Sequence, residues 1–255
     1  MLKKVISSLL CCYSLVSLNS AQATIVEFQT SQGNFQVNLF DQTTPITVNN
    51  FLNYVNEQSY TNSLIHRAVP GFVVQGGGFE FAGDWPLSSL ASNGAINNEP
   101  VYSNVKGTIA MAKLGGIVNS ASNQWFFNLQ DNSNNLDTQN GGFTVFGQVI
   151  GDGMAVLEKI SALQLCNNNG LNDIPMVDYT SQECTDKAVP GLENFVVVEQ
   201  ITIVDSSEVT DADLTKIENT LIDQVTPPTQ PEPSSGGGAM YWLLALLSLP
   251  LLRKK

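Results

Sequence analysis

Between Thr24 and Val204 the apolar residues fall into short runs that glycines interrupt. SLIHRAV, GFVVQG, GTIAMA, QWFFNL and FTVFGQVI each read as a strand, and FVVVEQITIV, Phe195 to Val204, reads as a longer closing one. TIVEFQ and NFQVNL alternate apolar and polar residues around Ser31-Gln32-Gly33, which is the pattern of a hairpin. Two stretches inside this span carry a helical period. Val48, Phe51, Leu52 and Val55 follow Thr44-Pro45, read as an N-cap and a first-turn proline. Met154, Leu157 and Ile160 share a face after Asp152. Many short strands with two helices predict a mainly β chain, a closed β-barrel with helical caps.

The ionisable inventory excludes most catalysis. With 11 Lys/Arg against 23 Asp/Glu the net charge is −12, the wrong sign for a nucleic-acid partner, which needs clustered cations. The chain has one histidine, His66, and no nucleophile motif beside it, so a histidine-assisted hydrolase is disfavoured. One histidine and two distant cysteines cannot assemble a structural zinc site. Gly76-Gly77-Gly78 lacks the Gly-Lys-Ser/Thr of a phosphate loop and reads as a turn where backbone must approach closely. No metal or cofactor is expected.

Two segments concentrate the remaining chemistry: HRAVPGFVVQGGG, His66 to Gly78, and NQWFFNL, Asn123 to Leu129. They combine one arginine and several carboxamides with aromatic and aliphatic side chains. That set suits rotation about a prolyl amide, which breaks no bond and needs no nucleophile. The peptide barrier is ~18–20 kcal/mol, and X-Pro bonds interconvert over tens to hundreds of seconds. As the bond twists, its nitrogen loses conjugation and becomes pyramidal, and a fixed guanidinium donor favours that state over the planar one. Arg67 is the candidate donor. Gln75 is expected to bond the substrate backbone or to orient Arg67. Phe72, Val73, Phe126, Leu136 and Phe143 are expected to line an apolar slot for the proline ring. Gln124, with backbone near Ala112 and Lys113, is placed to grip the flanking peptide. His66 is expected as a packed neighbour of Arg67.

These segments resemble the cyclophilin family of peptidyl-prolyl cis/trans isomerases. The family pattern F-H-R-x-x-P-G-F-x-x-Q-G-G appears as IHRAVPGFVVQGG, Ile65 to Gly77. Met111-Ala112-Lys113 with NQWFF is similar to its M-A-x and S-Q-F-F-I motifs. Asn135-Leu136-Asp137 and Phe143-Thr144-Val145-Phe146-Gly147 are similar to W-L-D and H-x-V-F-G. The resemblance runs from about Thr24 to Asp205, interrupted by the stretch between Cys166 and Cys184. It implies an eight-stranded antiparallel barrel capped by two α-helices, catalysis at Arg67 and Gln75, and substrate contacts at the other positions named. Asn135 stands where many members carry tryptophan, which implies weakened cyclosporin binding. Phe143 replaces a histidine, as bulky aromatics do in some bacterial exported members, and Val73 stands where methionine is frequent.

The ends speak to location. Lys3 and Lys4, the apolar run to Leu18 and Ala21-Gln22-Ala23 read as an export signal over residues 1–23. The isomerase-like domain is expected over 24–205, an acidic then Pro/Gly-rich linker over 206–238, and an apolar tail with a basic end over 239–255. Asp211 to Asp223 is read as a short polar helix. The tail is short for a membrane span. It resembles Gly-Gly type sorting tails of Gram-negative bacteria, so contact with a membrane or a sorting protease is expected. In an oxidising compartment Cys166 and Cys184 are expected to pair and to staple a polar loop that has no core of its own. The whole predicts an exported, monomeric isomerase of periplasm or cell envelope acting on proline-containing extended polypeptides. The alternatives are a proline-segment binding module or holdase without turnover, and a sugar-binding barrel using Trp85 and Trp125.

Overall fold

The structure is a computed structural model describing residues 24–207, 210, 212 and 214–224. The expected export signal, the Pro/Gly-rich part of the linker and the apolar tail lie outside the described residues. Eleven strands occur in the described residues: β1 (Ile25–Thr30), β2 (Phe35–Leu39), β3 (Ser63–Val69), β4 (Val73–Glu80), β5 (Ser88–Ser89), β6 (Thr108–Met111), β7 (Trp125–Asn128), β8 (Val145–Ile150), β9 (Gln164–Asn168), β10 (Leu171–Met176) and β11 (Val197–Asp205). The helices are α1 (Pro45–Asn56), α2 (Ser133–Leu136), α3 (Gly153–Ser161) and α4 (Ser181–Asp186). Hydrogen bonding runs β3-β11-β1-β2-β8-β6-β7-β4, and β4 pairs back onto β3, which closes an eight-stranded antiparallel barrel. β5 adds to the edge of β4, and β9 and β10 form a separate hairpin.

Alternation builds the core. Val26, Phe28, Val37, Ile65, Val74, Ile109, Trp125, Phe127, Phe146, Val196 and Val198 point inward. Phe28 stacks on Phe35 at 5.0 Å and meets Trp125 edge-on at 5.2 Å. The two longer helices, α1 and α3, add Val48, Phe51, Tyr54 and Val55, and Leu157 and Ile160, to the same core. Trp125 is fully buried, and Trp85 is half-buried with its ring edge-on to Phe195.

Several expectations change. The Thr44 side chain does not cap α1; its hydroxyl donates back to the Phe40 carbonyl. Glu99 takes over, accepting from the Ile46 N–H at 3.2 Å, the Thr47 N–H at 2.9 Å and the Thr47 hydroxyl at 2.7 Å. A carboxylate there satisfies free amides and meets the positive end of the helix dipole. Gly76-Gly77-Gly78 is no turn: it lies inside β4. A Cβ on Gly76 would stand 2.6 Å from Trp125, and one on Gly78 2.6 Å from Gln124, so close approach is the reason for the glycines. The stretch between the cysteines is not coreless. Cys166, Leu171, Ile174 and Met176 pack against Leu64, Phe195 and Val197 outside the barrel, and Cys166 is bonded to Cys184. Residues 214–224 form no polar helix. They run alongside the barrel, with an isolated antiparallel bridge between Tyr102 and Glu218 and a 3₁₀ turn at Ile222–Gln224.

Candidate active site

A bulge in β3 creates the site. Ile65 faces Gly76 and Arg67 faces Gln75, so β3 carries one extra residue, His66, over this step. Without it Arg67 would share the inward side of Ile65. With it Arg67 turns outward beside Gln75, as bulges re-aim side chains. Gln75 is opposite Phe126 on β7, and Phe126 is opposite Ala110 on β6. Arg67, Gln75, Phe126 and Ala110 therefore form one row on the outer face of four strands. Directly opposed residues stand about 4.5–5.5 Å apart at Cβ.

The row passes from polar to apolar. Phe126 belongs to a cluster with Val73, Ala110, Leu136, Phe143 and Val145, against which Phe72 and Ala112 pack half-buried. The rings of Phe126 and Phe143 meet edge-on at 5.7 Å. Val73, Phe126, Leu136 and Phe143 are almost wholly buried and form the floor. Phe72, Ala112, Lys113, Gln124 and Arg67 keep partial exposure at the rim.

Gln75 Nε2 donates to Gln124 Oε1 at 2.9 Å, so its carboxamide is turned toward Gln124 along the row. The Ala112 N–H is committed to the Gln124 carbonyl at 2.9 Å. Lys113 contributes a side chain as well as backbone. Its Nζ donates to the carbonyls of Asn140 at 2.8 Å and Gly142 at 2.5 Å and lies 4.9 Å from the Phe143 ring centre. Burial pushes its pKa down to about 7.

Arg67 is half-buried, and among the described residues its Nη1 has no hydrogen-bond partner. Burial pushes its pKa down, while the negative charge of Asp173 pulls it up. Asp173 sits on β10, which lies against β3, with φ of 58° and its N–H donated to Asn167 Oδ1 at 2.9 Å. No local sequence signal marked this aspartate; tertiary packing alone brings its charge to Arg67. His66 is buried with its ring 4.8 Å from that of Phe79. Desolvation pushes its pKa down to about 4, with the Arg67 charge adding a smaller push, so the imidazole is neutral at pH 7.

A buried amide network backs the slot. Asn132 Nδ2 donates to the Phe72 carbonyl at 3.0 Å and to Asn128 Oδ1 at 2.8 Å. Asn128 Nδ2 donates to Thr108 Oγ1 at 2.8 Å and Asn104 Oδ1 at 3.3 Å. Asn104 Nδ2 donates to Asp137 Oδ1 at 3.0 Å and the Phe143 carbonyl at 3.1 Å. Ser103 Oγ donates to the other oxygen of Asp137. One connected network thus holds the backbone of both Phe72 and Phe143. Satisfied buried networks of this kind rigidify what they touch.

The closed barrel, the Arg67–Gln75–Phe126 row and the apolar floor define a class. The family model for cyclophilin type peptidyl-prolyl cis-trans isomerase/CLD matches residues 25–181, and the chain belongs to the cyclophilin-type peptidyl-prolyl cis-trans isomerases. It is 37% identical over 183 residues to peptidyl-prolyl cis-trans isomerase A of Dickeya dadantii, covering 69% of this chain and 93% of that one. It is 35% identical over 170 residues to peptidyl-prolyl cis-trans isomerase B of Escherichia coli, covering 63% of this chain and 98% of that one. Among solved structures, a cyclophilin type isomerase of Cryptosporidium parvum shares the fold, with a TM-score of 0.51 at 20% identity over 72% of this chain and 98% of that one.

Proposed function

We propose that the chain accelerates X-Pro rotation in exported polypeptides, with Arg67 as the donor to the twisting prolyl nitrogen. The proline ring would enter over Phe72 and Ala112 onto Phe126, Leu136 and Phe143, with Val73 packed behind. Gln75 and Gln124 would act as one bonded pair along the peptide backbone, and Lys113 would close the end of the slot. The observation that carries this reading is the bulge-set row, which puts a guanidinium whose buried Nη1 has no partner among the described residues two strands from the apolar floor. A rigid donor aimed at developing charge is the strongest tool available to a site without a nucleophile.

Export is supported by the signal-like residues 1–23 and by the Cys166–Cys184 bond, a pairing that persists in oxidising compartments. Periplasm or cell envelope is the proposed location. The tail at 239–255 would be an anchor or a sorting signal, and the working unit a monomer.

Exchange NMR on a short Ala-Pro peptide tests the activity. Wild type should give saturable cis/trans exchange, and Arg67→Ala should lower it about 10²-fold with the melting temperature unchanged. Wild-type turnover in the variant would remove Arg67 from the mechanism. Peptide line broadening without exchange in the wild type would instead mark a binding module.

A further inference from the structure

The segment after the last barrel strand lies against the far side of the slot. Leu214 packs on the cluster that holds Phe126, Leu136 and Phe143. The Ser103 N–H donates to the Ile217 carbonyl at 2.8 Å, and the Asn219 N–H donates to the Val101 carbonyl at 2.9 Å, flanking the Tyr102–Glu218 bridge. Asn219 is 6% exposed. Its Nδ2 donates to the Asp137 carbonyl at 3.0 Å, and its Oδ1 accepts from the Leu221 and Ile222 N–H groups at 3.1 and 3.0 Å. A polar side chain this deep is costly unless satisfied, so these bonds specify one arrangement.

Asp137 joins Asn219 to the network behind Phe143. Its carboxylate holds the Asn104 amide at 2.8 Å, and Asn104 holds the Phe143 carbonyl. A Cβ on Gly142, next to Phe143, would stand 2.8 Å from the Asp137 carbonyl and 3.3 Å from Asn219 Nδ2. The loop from Leu136 to Phe143 thus closes on itself against Asn219.

We propose that residues 214–222 form a strap whose Asn219 is a positioning residue of the isomerase site: through Asp137 it sets where Leu136 and Phe143 stand, and so how firmly the proline ring is held. The strap lies outside residues 25–181 matched by the family. The proposal rests on the reading of the slot given above. Arg67 lies at the other end of the row, so loosening the strap weakens substrate binding and leaves the donor in place. Preorganised walls bind more tightly because less order is lost on binding.

The test uses the full chain. Asn219→Asp keeps the oxygen that accepts from Leu221 and Ile222 but sets a carboxylate oxygen against the Asp137 carbonyl. In exchange NMR its KM for the Ala-Pro peptide should rise about tenfold, with kcat within about twofold. Val204→Ser, on the exposed end of β11, should match wild type in both. In wild-type protein a saturating peptide should shift the amides of Ser103, Asp137 and Asn219 together with those of Leu136 and Phe143. A folded Asn219→Asp with wild-type KM, or strap amides unmoved at saturation, overturns the proposal. If the variant does not fold, the wild-type titration alone decides. An inactive Arg67→Ala beside an Asn219→Asp of wild-type KM removes the strap's role alone; an active Arg67→Ala removes the reading of the site itself.

Discussion

Two apolar clusters sit outside the barrel, and they have opposite fates. One gathers Leu64, Phe195 and Val197, outward residues of β3 and β11 and the turn before it; the other gathers Val73, Ala110, Phe126 and Val145 from β4, β6, β7 and β8. Each uses the strand positions that alternate with the core. The first is covered by the chain itself: the β9–β10 hairpin lays Leu171, Ile174 and Met176 over it, and the Cys166–Cys184 bond ties that hairpin to α4. The second is bordered by Arg67, Gln75 and Gln124 and braced from behind by buried amides. An outward apolar row on a barrel is therefore not yet a site. It becomes a candidate site where polar donors border it and the chain that packs on it, Leu214 here, leaves Phe72, Ala112 and Gln124 half-exposed. β3 supplies both clusters, Leu64 to the first and Arg67 to the edge of the second, with the His66 bulge between them.

The contrast predicts that damage stays on its own side. Phe126→Ala should be the most severe: it empties the slot floor at a residue only 3% exposed. It should cost about 3 kcal/mol in urea unfolding and at least about tenfold in kcat/KM. Loss of stability with unchanged turnover would make Phe126 ordinary core. The double substitution Cys166→Ser with Cys184→Ser should lower stability by about 3 kcal/mol, the loop-entropy value for a bond of sequence separation 18. Peptide turnover should stay within about twofold of wild type. A larger fall would break the separation and show that the hairpin reaches Arg67 through Asp173.

The smallest effect concerns the residue between the clusters. The His66 imidazole is held down to about 4 in the folded chain against an ordinary 6.5. Between these values the unfolded chain takes up a proton that the folded chain refuses, so stability is complete above about pH 6.5 and declines as the pH falls toward about 4. Between pH 7 and pH 4.5 the loss is about 2 kcal/mol. His66→Gln should flatten that part of the slope, read as the difference in urea unfolding free energy between pH 7 and pH 4.5. An equal slope in wild type and variant would place His66 in a wetter setting than the one described.

Much of the fold was legible because strand alternation and glycine interruption are local. SLIHRAV coincides with β3, and the expected hairpin around Ser31-Gln32-Gly33 joins β1 to β2. The motif positions also fall near one another: Arg67, Gln75 and Phe126 share a row, and Leu136, Phe143 and Phe72 join Phe126 in its cluster. Three things were not legible. Thr44 carried the signature of a cap, yet a carboxylate 52 residues beyond Thr47 does the work. The stretch between the cysteines looked polar because its apolar residues follow no single period; a register shift between Leu171 and Ile174 breaks their alternation. Asp211 to Asp223 looked like a solvated helix because Leu214 and Asn219 reveal their burial only against a partner surface.

The sequence by itself determined which segments are strands, which side chains alternate inward, and which few residues are candidates to hold and twist a prolyl bond. These follow from the two-residue period of extended backbone and from side-chain chemistry, and both are set by near neighbours. Closure of the barrel decided the rest: the direction of Arg67 once His66 bulges, the charge of Asp173 beside it, and the bond from Asn219 to Asp137 across 82 residues. Such pairings join positions that share no local pattern, so only the folded arrangement brings the partners within reach.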